Sequence, residues 1–120
     1  MTPRPHILIV DDEAGIRESL ASILKDEGYQ VDAVGSAEEA LERSALGGFE
    51  VVLLDVWLPG IDGLEAAARI AASAHSPPTR VILMAASATE VQDRSHVDLV
   101  LQKPFRLEEL AAKIKALCGE

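Results

Sequence analysis

The chain has 120 residues, of which 48% are apolar and 26% charged, and its formal net charge is −9. That length suits one domain with one core, and the apolar share excludes a disordered chain. Surplus acid without a Lys/Arg cluster excludes a surface built to grip nucleic acid or an anionic membrane, and suits a cation site or a basic partner.

Met1 to Pro5 is a short polar lead. His6–Val10 is an apolar run that reads as a first buried strand, and it ends in three acids, Asp11, Asp12 and Glu13. From Ala14 to about Glu27, Ile16, Leu20, Ile23 and Leu24 fall on one helical stripe, and Gly28 supplies the C-cap. Gln30–Val34 is a second strand. Ser36 and Glu39 form a capping box that opens a helix to about Leu46, ended by Gly47-Gly48. Val51–Leu54 is a third buried strand and delivers Asp55 at its carboxyl end. Turns at Pro59-Gly60 and Asp62-Gly63 follow.

Gly63 to about Ser73 is an alanine-rich helix able to pack close to a sheet. His75–Thr79, with Pro77-Pro78, is a loop. Arg80–Ala86 holds a fourth strand, Val81-Ile82-Leu83-Met84, and Ala88–His96 is weakly patterned. Val97–Gln102 is a fifth strand, followed by Lys103-Pro104. A last helix runs from Leu107 to Leu117, with Leu107, Leu110, Ala111, Ile114 and Leu117 inward. Alternating strands and helices predict a doubly wound, five-stranded parallel sheet of order 2-1-3-4-5, one α/β domain over residues 1–120. The lone Cys118 cannot form an internal disulfide. No secretory leader opens the chain and no apolar run spans a bilayer, so a cytoplasmic location is expected.

In that order the strands that end in acid are neighbours, at the switch point where such sheets bind ligands. Asp11, Asp12 and Asp55 would share one crevice. Two carboxylates about 4 Å apart repel by roughly 4 kcal/mol at an effective dielectric near 20. A hard cation such as Mg²⁺ relieves that repulsion. With Lys103 across the same face, a free carboxylate between two positive groups describes a site for phosphoryl transfer.

These residues resemble the receiver domain of bacterial two-component response regulators, of the flavodoxin-like, CheY-like fold. The resemblance rests on Asp11-Asp12 after strand 1 and on Asp55 with Leu58-Pro59-Gly60-Ile61-Asp62-Gly63 behind it. Lys103-Pro104-Phe105 after strand 5 completes it. The segment Asp55-Val56-Trp57-Leu58-Pro59-Gly60 also resembles receivers of the nitrogen-regulation type. The resemblance implies that Asp55 accepts the phosphoryl group. It also implies that Asp12 and Asp55 ligate Mg²⁺ by side chain, Asp11 through water and Trp57 by its backbone carbonyl. Lys103 would pair with the phosphoryl group and Lys103-Pro104 would be cis. The donor would be a sensor histidine kinase phosphohistidine or a small phosphodonor. The chain would catalyse only its own phosphorylation and dephosphorylation, which is not enzyme activity on a separate substrate.

Two positions depart from the family pattern. Ala85 stands where a Thr or Ser hydroxyl would bind the phosphoryl group, and Val100 stands where an aromatic switch partner is usual. Ser87 is a candidate substitute. The segment between Ala85 and Lys103 is about a turn short, so a shortened or irregular helix is expected there. The expected consequence is phosphate acceptance with atypical switching, signalled through protein contacts. The output is left open, a homodimer is possible, and no direct contact with nucleic acid or membrane is expected.

A pseudo-receiver, acting as a phosphorylation-independent interaction module, is the alternative. A third reading, a Mg²⁺-dependent phosphatase, would want an acid two residues past the nucleophile, where Trp57 stands. Trp57 either gates water or covers the loop. Glu13 and Asp62 read as a surface acid and a turn former. His6, His75 and His96 show no ligand spacing, and Arg94 and Arg106 read as surface charges.

Overall fold

The computed structural model describes residues 5–45, 48–58, 61–72, 79–87 and 95–118. In chain order it has β1 (His6–Val10), α1 (Ala14–Asp26), β2 (Gln30–Val34), α2 (Ala37–Ala45) and β3 (Val51–Asp55). There follow α3 (Gly63–Ala72), β4 (Arg80–Ala85), β5 (Leu99–Gln102) and α4 (Leu107–Leu117). The strands form one five-stranded sheet of order β2-β1-β3-β4-β5, and every pairing is parallel. This is the predicted doubly wound arrangement.

The continuous apolar runs follow from burial on both faces. Leu8, Val10, Val52, Leu54, Val81 and Leu83 join Ala40 of α2 and Ala66, Ala67 and Ile70 of α3 in one cluster. Their alternates Ile7, Ile9, Val51, Leu53, Ile82 and Met84 join Leu20 and Leu24 of α1 and Leu110 and Ile114 of α4 in the other. The two-residue side-chain period of a strand splits each run between these cores. Alanines at 66 and 67, both fully buried, bring α3 close to the sheet.

Local signals end the helices as the sequence predicts. Gly28 takes φ 96° just past the end of α1, a left-handed conformation that glycine adopts without steric cost. The Ser36 Oγ accepts the Glu39 N–H at 3.2 Å at the start of α2. The boundary that differs most is in β5, which begins at Leu99, two residues later than the apolar pattern from Val97 suggests. The Asp98 carboxylate takes the Val81 N–H at 2.7 Å, so a side chain stands where a strand carbonyl would continue the ladder. The expected irregular helix between β4 and β5 falls on residues 88–94, outside the described residues, as do the Pro59-Gly60 turn and the Pro77-Pro78 loop. Among the described residues, no helix is long and apolar enough to cross a membrane.

Candidate functional site

Strands β1 and β3 pair with Val10 opposite Leu54, so the residues that follow, Asp11 and Asp55, leave adjacent strands side by side. One carboxylate oxygen from each of Asp11, Asp12 and Asp55 lies within 4.8 Å of the others. Asp11 and Asp55 are buried and Asp12 is exposed. Strand β4 separates β3 from β5, and Lys103 reaches across its end. The Lys103 N–H donates to the Ala85 carbonyl at 2.7 Å, and its Nζ donates to Asp55 Oδ2 at 3.0 Å. The Lys103-Pro104 peptide is cis.

The remaining polar atoms of the notch are tied down unevenly. Asp55 Oδ1 accepts the Trp57 N–H at 3.1 Å. Asp11 Oδ1 accepts the Glu13 N–H at 2.9 Å, whereas Asp11 Oδ2 is buried and has no hydrogen-bond partner among the described residues. Burial pushes the Asp11 carboxyl above its ordinary range. The Glu13 N–H pulls it back, the Asp55 charge adds to the rise, Lys103 opposes it and Asp12 adds again. An unpartnered buried oxygen beside two further carboxylates is an all-oxygen donor set of the kind that hard divalent cations take, and Mg²⁺ fits it.

The segment after Asp55 is held against the end of β3. The Gly63 N–H donates to the Val56 carbonyl at 2.9 Å. A Cβ at Gly63 would lie 2.5 Å from the Asp55 carbonyl oxygen and 2.8 Å from the Val56 Cα, so only glycine permits α3 to start there. Asp62, read as a turn former, caps α3: its Oδ1 accepts the Glu65 N–H at 2.8 Å.

The other candidate positions fall as follows. The Trp57 side chain is 67% exposed, and among the described residues it is the one large apolar side chain so exposed; it does not bury itself over the loop. Ala85 is buried in the cluster facing α2 and α3, and Val100 packs half-buried against the same cluster. Ser87 is half-buried, two residues past β4. Glu13 is exposed at the N-cap of α1 without a side-chain cap bond. Arg106 is an exposed N-cap of α4, His96 is exposed, Cys118 is half-buried, and His75 and Arg94 lie outside the described residues. His6 pairs with Asp32 on β2 at 3.0 Å, away from the acids.

Sequence reasoning passed over Arg17. Its Nη1 donates to the Asp11 carbonyl at 2.7 Å. The available signal was a charge on the stripe that carries the buried Leu20 and Leu24 of α1, three and seven residues further on.

The fold and this notch define a class: an α/β domain with a carboxylate triad and a lysine at the carboxyl edge of a parallel sheet. Residues 7–115 match the family described as "Response regulator receiver domain", and the chain belongs to that family. It is 40% identical over 115 residues to the uncharacterized transcriptional regulatory protein YkoG of Bacillus subtilis, covering 92% of this chain and 50% of that protein. It is 38% identical over 120 residues to the transcriptional activator protein PfeR of Pseudomonas aeruginosa, covering 96% of this chain and 38% of the other. The chain thus spans about half or less of the curated relatives it matches. Among solved structures it is similar to the response regulator TrrA of Thermotoga maritima in complex with Mg²⁺-BeF. The TM-score is 0.85 and the identity 37%, covering 94% of this chain and 98% of that one. A CheY-like receiver domain protein from Methanospirillum hungatei aligns with TM-score 0.85 at 28% identity, covering 97% and 95%. The expectation of no nucleic-acid contact finds no support here, since several relatives carry the names of transcriptional regulators.

Proposed function

We propose that this domain accepts a phosphoryl group on Asp55, in a Mg²⁺-dependent reaction, from a phosphohistidine of a sensor kinase. The observation that carries the reading is the convergence of three carboxylates within 4.8 Å opposite one lysine 3.0 Å from Asp55. Asp11, Asp12 and Asp55, with the Trp57 backbone carbonyl, would hold Mg²⁺. When bound, the cation supplies charge neutralisation for the acids and for the phosphoryl oxygens.

The chain's own residues do the rest. An Asp55 carboxylate oxygen attacks phosphorus and forms the acyl-phosphate P–O bond, while the P–N bond to the donor imidazole breaks and its electron pair stays on the ring nitrogen. The Trp57 N–H orients the carboxylate. Lys103 shifts its hydrogen bond from Asp55 to a phosphoryl oxygen and takes up negative charge there. With the hydroxyl position occupied by Ala85 and the aromatic position by Val100, the conformational response is attenuated; Ser87 is the candidate replacement donor. The domain catalyses only its own phosphorylation and dephosphorylation, and it passes its state to a protein partner in the cytoplasm. The similarity of this chain to a response regulator solved with Mg²⁺-BeF supports the metal and phosphate chemistry.

The test is acetyl-phosphate or beryllofluoride modification with and without Mg²⁺, in the wild type and in Asp55→Asn. The expected result is a Mg²⁺-dependent adduct in the wild type and none in the variant. Equal behaviour of the two proteins would sink the reading. Ala85 and Val100 favour one alternative, a phosphorylation-independent interaction module. Hydrogen exchange unchanged by beryllofluoride outside the notch, with partner binding intact in Asp55→Asn, would establish that alternative instead.

A further inference from the structure

We propose that Arg17 is a positioning residue of this site: it holds the peptide plane between Asp11 and Asp12, so that two of the three acids stay gathered with Asp55 before a cation binds. The proposal rests on the phosphate-accepting reading above. Its basis is where the guanidinium goes. Arg17 is half-buried on α1, and its Nη1 donates to the Asp11 carbonyl at 2.7 Å. That carbonyl belongs to the Asp11–Asp12 peptide. Because the peptide unit is planar, a bond to its oxygen restrains the plane that carries the Cα atoms of both acids.

The same guanidinium lies against Gly35, the residue that follows β2. A Cβ at Gly35 would stand 3.1 Å from Nη1 and 3.6 Å from Cζ. The residue before it, Val34, accepts the Asp11 N–H at 3.2 Å. Asp11 is therefore gripped at its N–H by Val34, at its carbonyl by Arg17 and at Oδ1 by the Glu13 N–H. Among the described residues, only Oδ2 is left without a partner. The repulsion among the carboxylates would be relieved by turning the 11–12 peptide and splaying the acids apart. The Arg17 bond opposes that turn, and Gly35 leaves the room the guanidinium needs. A cation then meets a site already assembled.

The experiment is Mg²⁺ titration of the full chain without any phosphodonor, read by calorimetry and by the fluorescence of Trp57, the single tryptophan. It compares wild type, Arg17→Met, Arg17→Lys, Gly35→Val and the double variant Arg17→Met with Gly35→Val. The expected result is Mg²⁺ affinity about tenfold weaker in Arg17→Met, as when other groups that orient metal ligands are removed. Arg17→Lys should restore most of it. Gly35→Val, which crowds the guanidinium, should weaken binding in the same direction, and the double variant should be no worse than Arg17→Met. With acetyl phosphate, the Mg²⁺ concentration for half-maximal rate should rise while the rate at saturating Mg²⁺ stays near wild type.

Arg17→Met that binds Mg²⁺ as tightly as wild type, with only its melting temperature lowered, overturns the proposal and leaves the phosphate-accepting reading standing. Wild type that binds no Mg²⁺ overturns both. If Arg17→Met does not fold, Gly35→Val decides: weaker Mg²⁺ binding supports the proposal, and wild-type affinity overturns it.

Discussion

Charge is handled in opposite ways at the carboxyl ends of the strands and elsewhere on the sheet. Away from the carboxyl ends of the strands, acids have partners close by. Asp32 on the edge strand meets His6 at 3.0 Å and Arg43 at 3.4 Å. Asp98, just before β5, meets Arg80 at 3.7 Å and accepts the Val81 N–H at 2.7 Å. At the end where strands finish, three acids lie together, with Lys103 on one of them and a buried oxygen of Asp11 on none. Paired charges on the rim hold a surface together for little net free energy. An unbalanced cluster costs stability, and under the function proposed above a bound cation offsets that cost.

The largest expected break in this contrast comes from removing the lysine of the notch. Lys103→Met should slow phosphorylation by acetyl phosphate about 10²–10³-fold, the usual loss for one preorganised charge-stabilising group. Mg²⁺ should bind at least as tightly, because a competing cation has left Asp55. If Mg²⁺ binding collapsed in a stopped-flow or calorimetric comparison, Lys103 would be a prop of the notch and not a phosphoryl ligand.

Next in size is the effect of completing the cluster. Mg²⁺ at 100 times its Kd should raise the unfolding free energy by about 2.7 kcal/mol in denaturant titrations. The Asp12→Asn/Asp55→Asn double variant should show no such increment. An equal increment in both would place the cation elsewhere.

Asp11→Asn should move stability the other way. The Mg²⁺-free variant should be more stable than wild type at neutral pH by about 1 kcal/mol, because a buried, crowded charge is gone while the Oδ1 acceptor for Glu13 remains. The sign of the pH dependence follows from the raised Asp11 carboxyl. The folded chain keeps this proton to higher pH than the unfolded chain, whose carboxyl titrates near the ordinary 3.8. This group's contribution therefore falls as pH rises from there through the raised value and then levels off. Asp11→Asn should lack that decline. Melting curves across the acid range that superimpose for the two proteins would remove the premise.

The smallest effect belongs to the paired acids away from the notch. Asp32→Asn should cost no more than about 1 kcal/mol, since its partners are half-exposed, and should leave phosphorylation kinetics unchanged. A kinetic defect there would mean that the two regions communicate.

Much of this molecule was legible in its sequence because the relevant signals are local. Apolar runs such as His6–Val10 and Val51–Leu54 announce strands covered on both faces. Ser36 with Glu39 and Gly28 mark helix ends through bonds made within a few residues. Acids directly after two such runs, with Lys103 after a third, are placed by strand order alone. Even the true start of β5 was out of reach, because Asp98 binds Val81, seventeen residues back in the chain.

What only the tertiary structure decided is which atoms meet. Lys103 and Asp55 lie 48 residues apart and still touch at 3.0 Å. That Asp11 keeps one buried oxygen unpartnered, and that Arg17 reaches its carbonyl over a glycine, depend on how α1 and the β2–α2 turn settle on the sheet. Sequence pattern sets the period and order of the elements, since these follow from the chain's own geometry. Distances between side chains on different elements are set by packing, which many residues far apart in the chain determine together.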